Sequence, residues 1–289
     1  MLVVDIEDVV KKALEELKNN QLISDYEKHE QKITEVLKKA AQKETTLTTK
    51  IGPMIENKTV LEVEKEMTAI IGYKRVDLIK KSFAIETYRM KVAKTPNGQT
   101  TVHVHRRGVE FQPMRWLTTI SDIDKSEKLQ WASLVIELFF FLFSSANIIT
   151  DIKKVGMMNI VREVEAHTLV PAFKRELNTF LEAWNKAGVN AWGKAKSIFN
   201  ILKKTYLLQI GWTFTKVILQ NMSTPQTIRA IGEFVLMVVA SFATNGIALI
   251  ARIVLAVNNF VYLEQKIENL GNFSYLKTTM HKLTNIVHF

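Results

Sequence analysis

The sequence predicts a mostly α-helical fold, a helical bundle around two very apolar helices with one inserted β-hairpin. Three observations carry this. Gly (11) and Pro (5) are scarce in 289 residues, so the chain has few breakers and favours long helices over many short strands. Apolar residues recur at helical spacing through most of the chain. Two segments, "WASLVIELFFFLFSSANII" (131–149) and "FVLMVVASFATNGIALIA" (234–251), approach the length of a membrane span with one charge between them. A 47% apolar content is ample for a large core.

Three regions follow in order. Residues 1–50 read as an amphipathic helical hairpin: Val9, Val10, Ala13, Leu14 and Leu17 share one face, and Tyr26, Ile33, Val36, Leu37 and Ala40 share another. "NNQ" at 19–21 is the expected joint, Ser24 the expected cap, and "KETTLTTKIGP" (43–53) an expected linker. Residues 51–130 read as a small α/β region, with a helix over 59–71 stopped by Gly72 and a β-hairpin near 83–107. There, Pro96-Asn97-Gly98 separates two alternating segments. "SDID" at 121–124 has the residues that open a helix. Residues 131–289 read as a basic, apolar helical bundle with breaks at Pro171 and Gly188. Within 234–251, Asn245-Gly246 predicts a turn that leaves each half too short to span, so burial of both apolar segments in a bundle is the expected resting state.

The net charge of +10 is unevenly spread: residues 131–289 hold 16 basic and 9 acidic residues, against 23 and 20 before them. From Glu182 to Glu233 no acid intervenes, while Lys186, Lys194, Lys196, Lys203, Lys204, Lys216 and Arg229 all occur. A one-signed stretch of this kind points to an anionic partner. Trp192, Ala195, Phe199, Leu202, Tyr206, Ile210 and Phe214 form one apolar stripe if 191–219 is a single helix. Trp184, Trp192 and Trp212 are the aromatic candidates for a lipid boundary.

Several chemistries are excluded or weakened. The chain has no cysteine, so disulfides, thiol nucleophiles, zinc ribbons and iron–sulfur clusters are out. "GVNAWGKAKS" (188–197) nearly spells a phosphate-binding loop, but Ala195 lacks the magnesium-binding hydroxyl and the preceding "FLEAWNKA" is helical rather than a strand. His103 and His105 share a strand face without a recognisable third ligand, so no metal or other cofactor is expected. Glu163 and His167 read as an i,i+4 surface pair. Neither a nucleophile elbow nor a dinucleotide fingerprint occurs, and no enzyme activity is expected.

Glu137 stands alone in "LVIELFFF" and must find a partner, reach water or raise its pKa, which makes it a candidate pH trigger. Acids at Asp5, Glu7 and Asp8 stand where a secretion signal is basic, so no classical export is expected. The layout over 131–270, basic amphipathic helices around an apolar hairpin, resembles the general plan of colicin-type pore-forming domains. The resemblance is one of pattern and rests on no residue motif, and Arg252, Asn258 and Asn259 depart from it. It implies a membrane-active, pore-forming or toxin-like protein that binds anionic lipid, inserts apolar helices and works as a homo-oligomer. The competing expectation is a viral nucleocapsid- or matrix-type assembly subunit, whose basic stretch binds RNA or DNA or lines a membrane.

Overall fold

The computed structural model describes residues 5–52, 55–81, 89–94, 100–106, 109–115, 123–146, 148, 152–168, 170–223, 226–256, 260 and 263–271. The fold is mostly helical, with one small antiparallel sheet. Its N-terminal hairpin is α1 (Ile6–Asn19) and α2 (Tyr26–Ile51). α1 is capped by Asp5, whose carboxylate accepts from the backbone N–H groups of Glu7 and Asp8. α2 is preceded by Asp25 in a left-handed conformation with no side-chain cap, so Ser24 does not cap it. The expected linker at 43–53 is instead helical as far as Ile51. Glu44, Leu47, Thr48 and Ile51 continue the buried face of Ile33, Leu37 and Ala40, and that burial outweighs the weak helix propensity of the threonines.

α3 (Val60–Ile71) begins at a capping box between Thr59 and Glu62 and stops at Gly72, as its sequence predicts. α4 (Tyr73–Lys81) follows at once. The expected hairpin is part of a three-stranded sheet of order β1-β2-β3, formed by β1 (Arg89–Lys94), β2 (Thr100–Arg106) and β3 (Val109–Arg115). Met90 faces Val104 and Val92 faces Val102 across the first pair. The turn residues Pro96-Asn97-Gly98 and the helix-opening Ser121 and Asp122 lie outside the described residues.

α5 (Ile123–Ser145) is the centre of the molecule. From Trp131 to Ala146 every residue but Glu137 is buried, so the helix has no polar face and must be enclosed on all sides. Phe143 stacks on Phe234 at 4.6 Å, and Phe139 meets Tyr206 and Phe214 at 5.6 and 5.5 Å. These partners come from α8 (Ala191–Leu207), α9 (Ile210–Gln220) and α10 (Ile228–Ala243), while α6 (Lys154–Thr168) packs along α5 and α7 (Pro171–Ala187) packs on α8. α11 (Ile247–Leu255) and a last helix over 263–271, here α12, complete the described chain.

Two details differ from the sequence expectation. The stretch 191–219 is not one helix: it breaks at Gln209, which has a φ of +63°, between α8 and α9. The second apolar segment is not one helix either, since α10 and α11 meet at a bend of 113°. Asn245 and Gly246 both have positive φ there, and a Cβ on Gly246 would lie 2.4 Å from the Phe199 ring, so the glycine serves the turn and the packing together. The fold therefore contains one long apolar helix and one bent apolar pair. The N-terminal hairpin packs along α10, where a Cβ on Gly232 would come within 3.3 Å of Val36 Cγ1. The buried apolar residues from Val9 to Leu270 form one continuous cluster.

Candidate functional site: the basic stretch and the buried ion pairs

The acid-free stretch of the sequence spans α7 to α10, and the fold brings carboxylates to it from elsewhere. Lys194 pairs with Glu264 of α12 and lies 5.1 Å from the Trp184 ring centre, leaving its side chain 12% exposed. Lys196 stands 3.6 Å from Glu56 in the turn before α3, and Lys204 stands 3.9 Å from Glu176 of α7. Arg229 bonds Glu233 one turn along α10 at 3.0 Å. Lys216 donates to the Gln21 side chain in the α1–α2 joint, and Lys203 lies 5.9 Å from the Phe199 ring. Lys186 is exposed at the end of α7. The seven cations are thus spread over several faces, and only part of the single sign read along the chain survives at the surface.

The near phosphate-binding loop is a joint between helices. Gly188 ends α7, and the Asn190 side chain caps α8 by accepting from the N–H groups of Trp192 and Gly193. The expected aromatic boundary is divided. Trp192 is partly buried against the core, whereas Trp184 and Trp212 are 4% and 2% exposed. Trp212 meets the Tyr206 ring edge-on at 4.7 Å and Trp184 packs beside Phe180 and Phe260, so both rings lie in the core of this fold. Burial holds the Glu16 carboxyl above the usual range, and the hydrogen bonds from Asn20 and Trp212 offset this in part. Burial likewise pushes the Tyr206 hydroxyl up, opposed by its hydrogen bond with Thr215.

At the surface, the short joints of this region carry apolar residues. Leu207 and Leu208 at the α8–α9 break are 57% and 37% exposed, about one helical turn beyond Lys203 and Lys204. Val170, in the α6–α7 joint, lies at the same end. His167 and Phe173 on either side of it both approach Phe214 in the second turn of α9, at 5.5 and 6.4 Å.

Glu137 is not alone. Its carboxylate pairs with Lys266 of α12 and accepts from the Met90 backbone N–H of β1 at 3.1 Å. The Lys266 ammonium also donates to Ser133 Oγ and to the Met90 carbonyl, and Ser133 donates to that same carbonyl. Of the three routes open to a carboxylate in this apolar run, Glu137 takes the first: a partner. With Glu264 paired to Lys194, α12 is tied to both α5 and α8 through residues two apart.

A second group of charges was not predicted as a cluster. Arg252 of α11, 1% exposed, forms a two-pronged ion pair with Glu44 of α2, at 3.0 and 2.5 Å. Arg75 of α4 reaches Glu233 at 3.4 Å. Its guanidinium is held below its ordinary pKa, first by burial and then by the nearby Arg252 charge. The pattern that could have flagged Glu44 was its spacing of three, four and seven residues from Leu47, Ala40 and Leu37, which puts a carboxylate on a buried stripe.

His103 is hydrogen-bonded to the Thr101 hydroxyl at 3.0 Å, and no group of three or more metal-binding side chains occurs among the described residues. His167 sits 3.6 Å from Glu163, the i,i+4 pair its spacing predicts. Compared with known proteins, the chain matches no family model, no curated protein and no solved structure.

Proposed function

We propose that this is a non-enzymatic, membrane-active protein that meets anionic lipid through its basic helices and carries α5 as a latent spanning segment. The observation that carries the reading is α5 itself. Glu127–Ser145, 19 residues, is long and apolar enough to cross a membrane, at roughly 28 Å of helix against about 30 Å of hydrocarbon. In the fold it is wrapped by helices whose outer faces are charged, and its one interior carboxylate is neutralised by Lys266. The apolar joints Val170 and Leu207-Leu208, beside Lys203 and Lys204, supply the first contact. Apolar side chains enter the headgroup layer while ammonium groups meet lipid phosphates. One spanning helix cannot line a pore, so permeabilisation requires several copies in the membrane.

The test is release of an entrapped dye at micromolar protein from vesicles rich in phosphatidylserine and from neutral phosphatidylcholine vesicles. Release confined to the anionic vesicles is expected. Inactivity on both overturns the reading, and a salt-sensitive affinity for RNA or DNA in its place identifies the basic stretch as a nucleic-acid surface.

A further inference from the structure

A groove of about 510 Å3 runs between α2 and α10, with Ile70 of α3 along one side. Its apolar floor is Val36, Ala40 and Ile70, and the close crossing of the two helices at Gly232 closes its deep side. Its rim is cationic. Lys39 and Lys43, one turn apart on α2, are exposed and form no ion pair among the described residues, and Arg229 faces them from α10.

The nearby carboxylates do not balance this charge. Glu44 is committed to Arg252, and Glu233 is shared between Arg75 of α4 and Arg229 at the groove's rim. Three cations thus line the groove against one carboxylate, which is itself shared with Arg75. The second groove of the N-terminal hairpin is a useful contrast. At about 330 Å3 it is lined by Glu7, Glu15 and Glu30 against Lys11, Lys18 and Lys38, and so carries no net charge.

We propose that the α2–α10 groove binds a phosphate monoester, free in solution or as a lipid headgroup. A carboxylate or a phosphodiester brings one negative charge, whereas a monoester brings close to two at neutral pH, with three acceptor oxygens to reach two ammonium groups and a guanidinium. The volume leaves room for an organic substituent over Val36, Ala40 and Ile70. The site goes beyond the membrane reading and does not depend on it, since a free phosphate monoester satisfies the same chemistry.

The experiment is calorimetric titration of the full chain with phenyl phosphate and with diphenyl phosphate, beside co-sedimentation with phosphatidate or phosphatidylglycerol vesicles of equal content. Saturable phenyl phosphate binding is expected, at least about tenfold tighter than diphenyl phosphate. It should weaken by a similar factor in the Lys39→Gln/Lys43→Gln double variant and persist in Lys11→Gln/Lys18→Gln. A phosphatidate preference lost in the first double variant assigns the site to a lipid headgroup, whereas binding of the free ester with no lipid preference assigns it to a soluble ligand. Circular dichroism matched to the parent establishes that these exposed substitutions leave the fold intact. No saturable binding at millimolar ligand, or equal binding by both double variants, overturns the proposal.

Discussion

Glu44 and Arg252, 208 positions apart in the chain, meet as a buried two-pronged ion pair joining α2 to α11. Removing one partner leaves the other charge in the core without compensation. Glu44→Ala is therefore expected to cost about 3–5 kcal/mol in urea unfolding. Glu44→Met/Arg252→Met removes both charges and should recover most of that loss. If the double variant is no more stable than Glu44→Ala, charge compensation is not what the pair supplies.

The tie between α12 and α5 makes a similar but functional prediction. Lys266→Met strands Glu137 and should destabilise the fold by about 3 kcal/mol, whereas Glu137→Gln/Lys266→Met leaves no charge in the cluster and should cost less. Under the membrane reading, this double variant also releases dye from anionic vesicles faster than the parent at equal pH, because α5 then enters lipid without a carboxylate. Unchanged release rates in a folded double variant would remove Glu137 from any triggering role.

Glu16 sets the sign of one pH effect. Its folded-state pKa is raised by burial, so the folded protein holds that proton more tightly than the unfolded chain. This contribution favours the fold at low pH and is lost as pH rises through the raised value. Glu16→Gln should raise the melting temperature slightly at pH 7, with the gain vanishing in acid once the carboxyl is protonated in both states. A gain that persists undiminished in acid would mean that desolvation of the charge is not its origin.

The exposed leucines test where lipid is first met. Leu207→Ser/Leu208→Ser should cost only about 1 kcal/mol of stability, chiefly from Leu208, which is 37% exposed against 57% for Leu207. It should weaken vesicle binding roughly tenfold with little change in salt dependence. Reversing Lys203 and Lys204 to Glu should instead abolish the preference for anionic vesicles. Full binding by both variants would place the contact on another face.

Local chemistry was legible in the sequence, and long-range chemistry was not. Thr59 and Gly72 mark the ends of α3 because capping is decided within a few residues. Asn245-Gly246 marks the α10–α11 bend for the same reason. Gln209 gave no warning of the α8–α9 break, since glutamine has no preference for the positive φ it adopts there. The segment 43–53 has the look of a linker in sequence, yet α2 runs through it to Ile51, because the burial that sustains the helix comes from distant α10 and α11. The lysines of the basic stretch were correctly seen to share one sign along the chain. Their partners Glu56, Glu176 and Glu264 stand outside that stretch, so pairing became visible only in three dimensions.

The wide separation of Glu44 and Arg252 also bears on synthesis. At about 5–20 residues per second, a ribosome needs roughly 10–40 s to add the residues between them. For an interval of that length after α2 leaves the exit tunnel, its apolar stripe, with a carboxylate in its middle, is without α10 and α11. Until those helices arrive the Glu44 carboxylate is solvated, and a charge set within an apolar stripe disfavours self-association of the waiting segment.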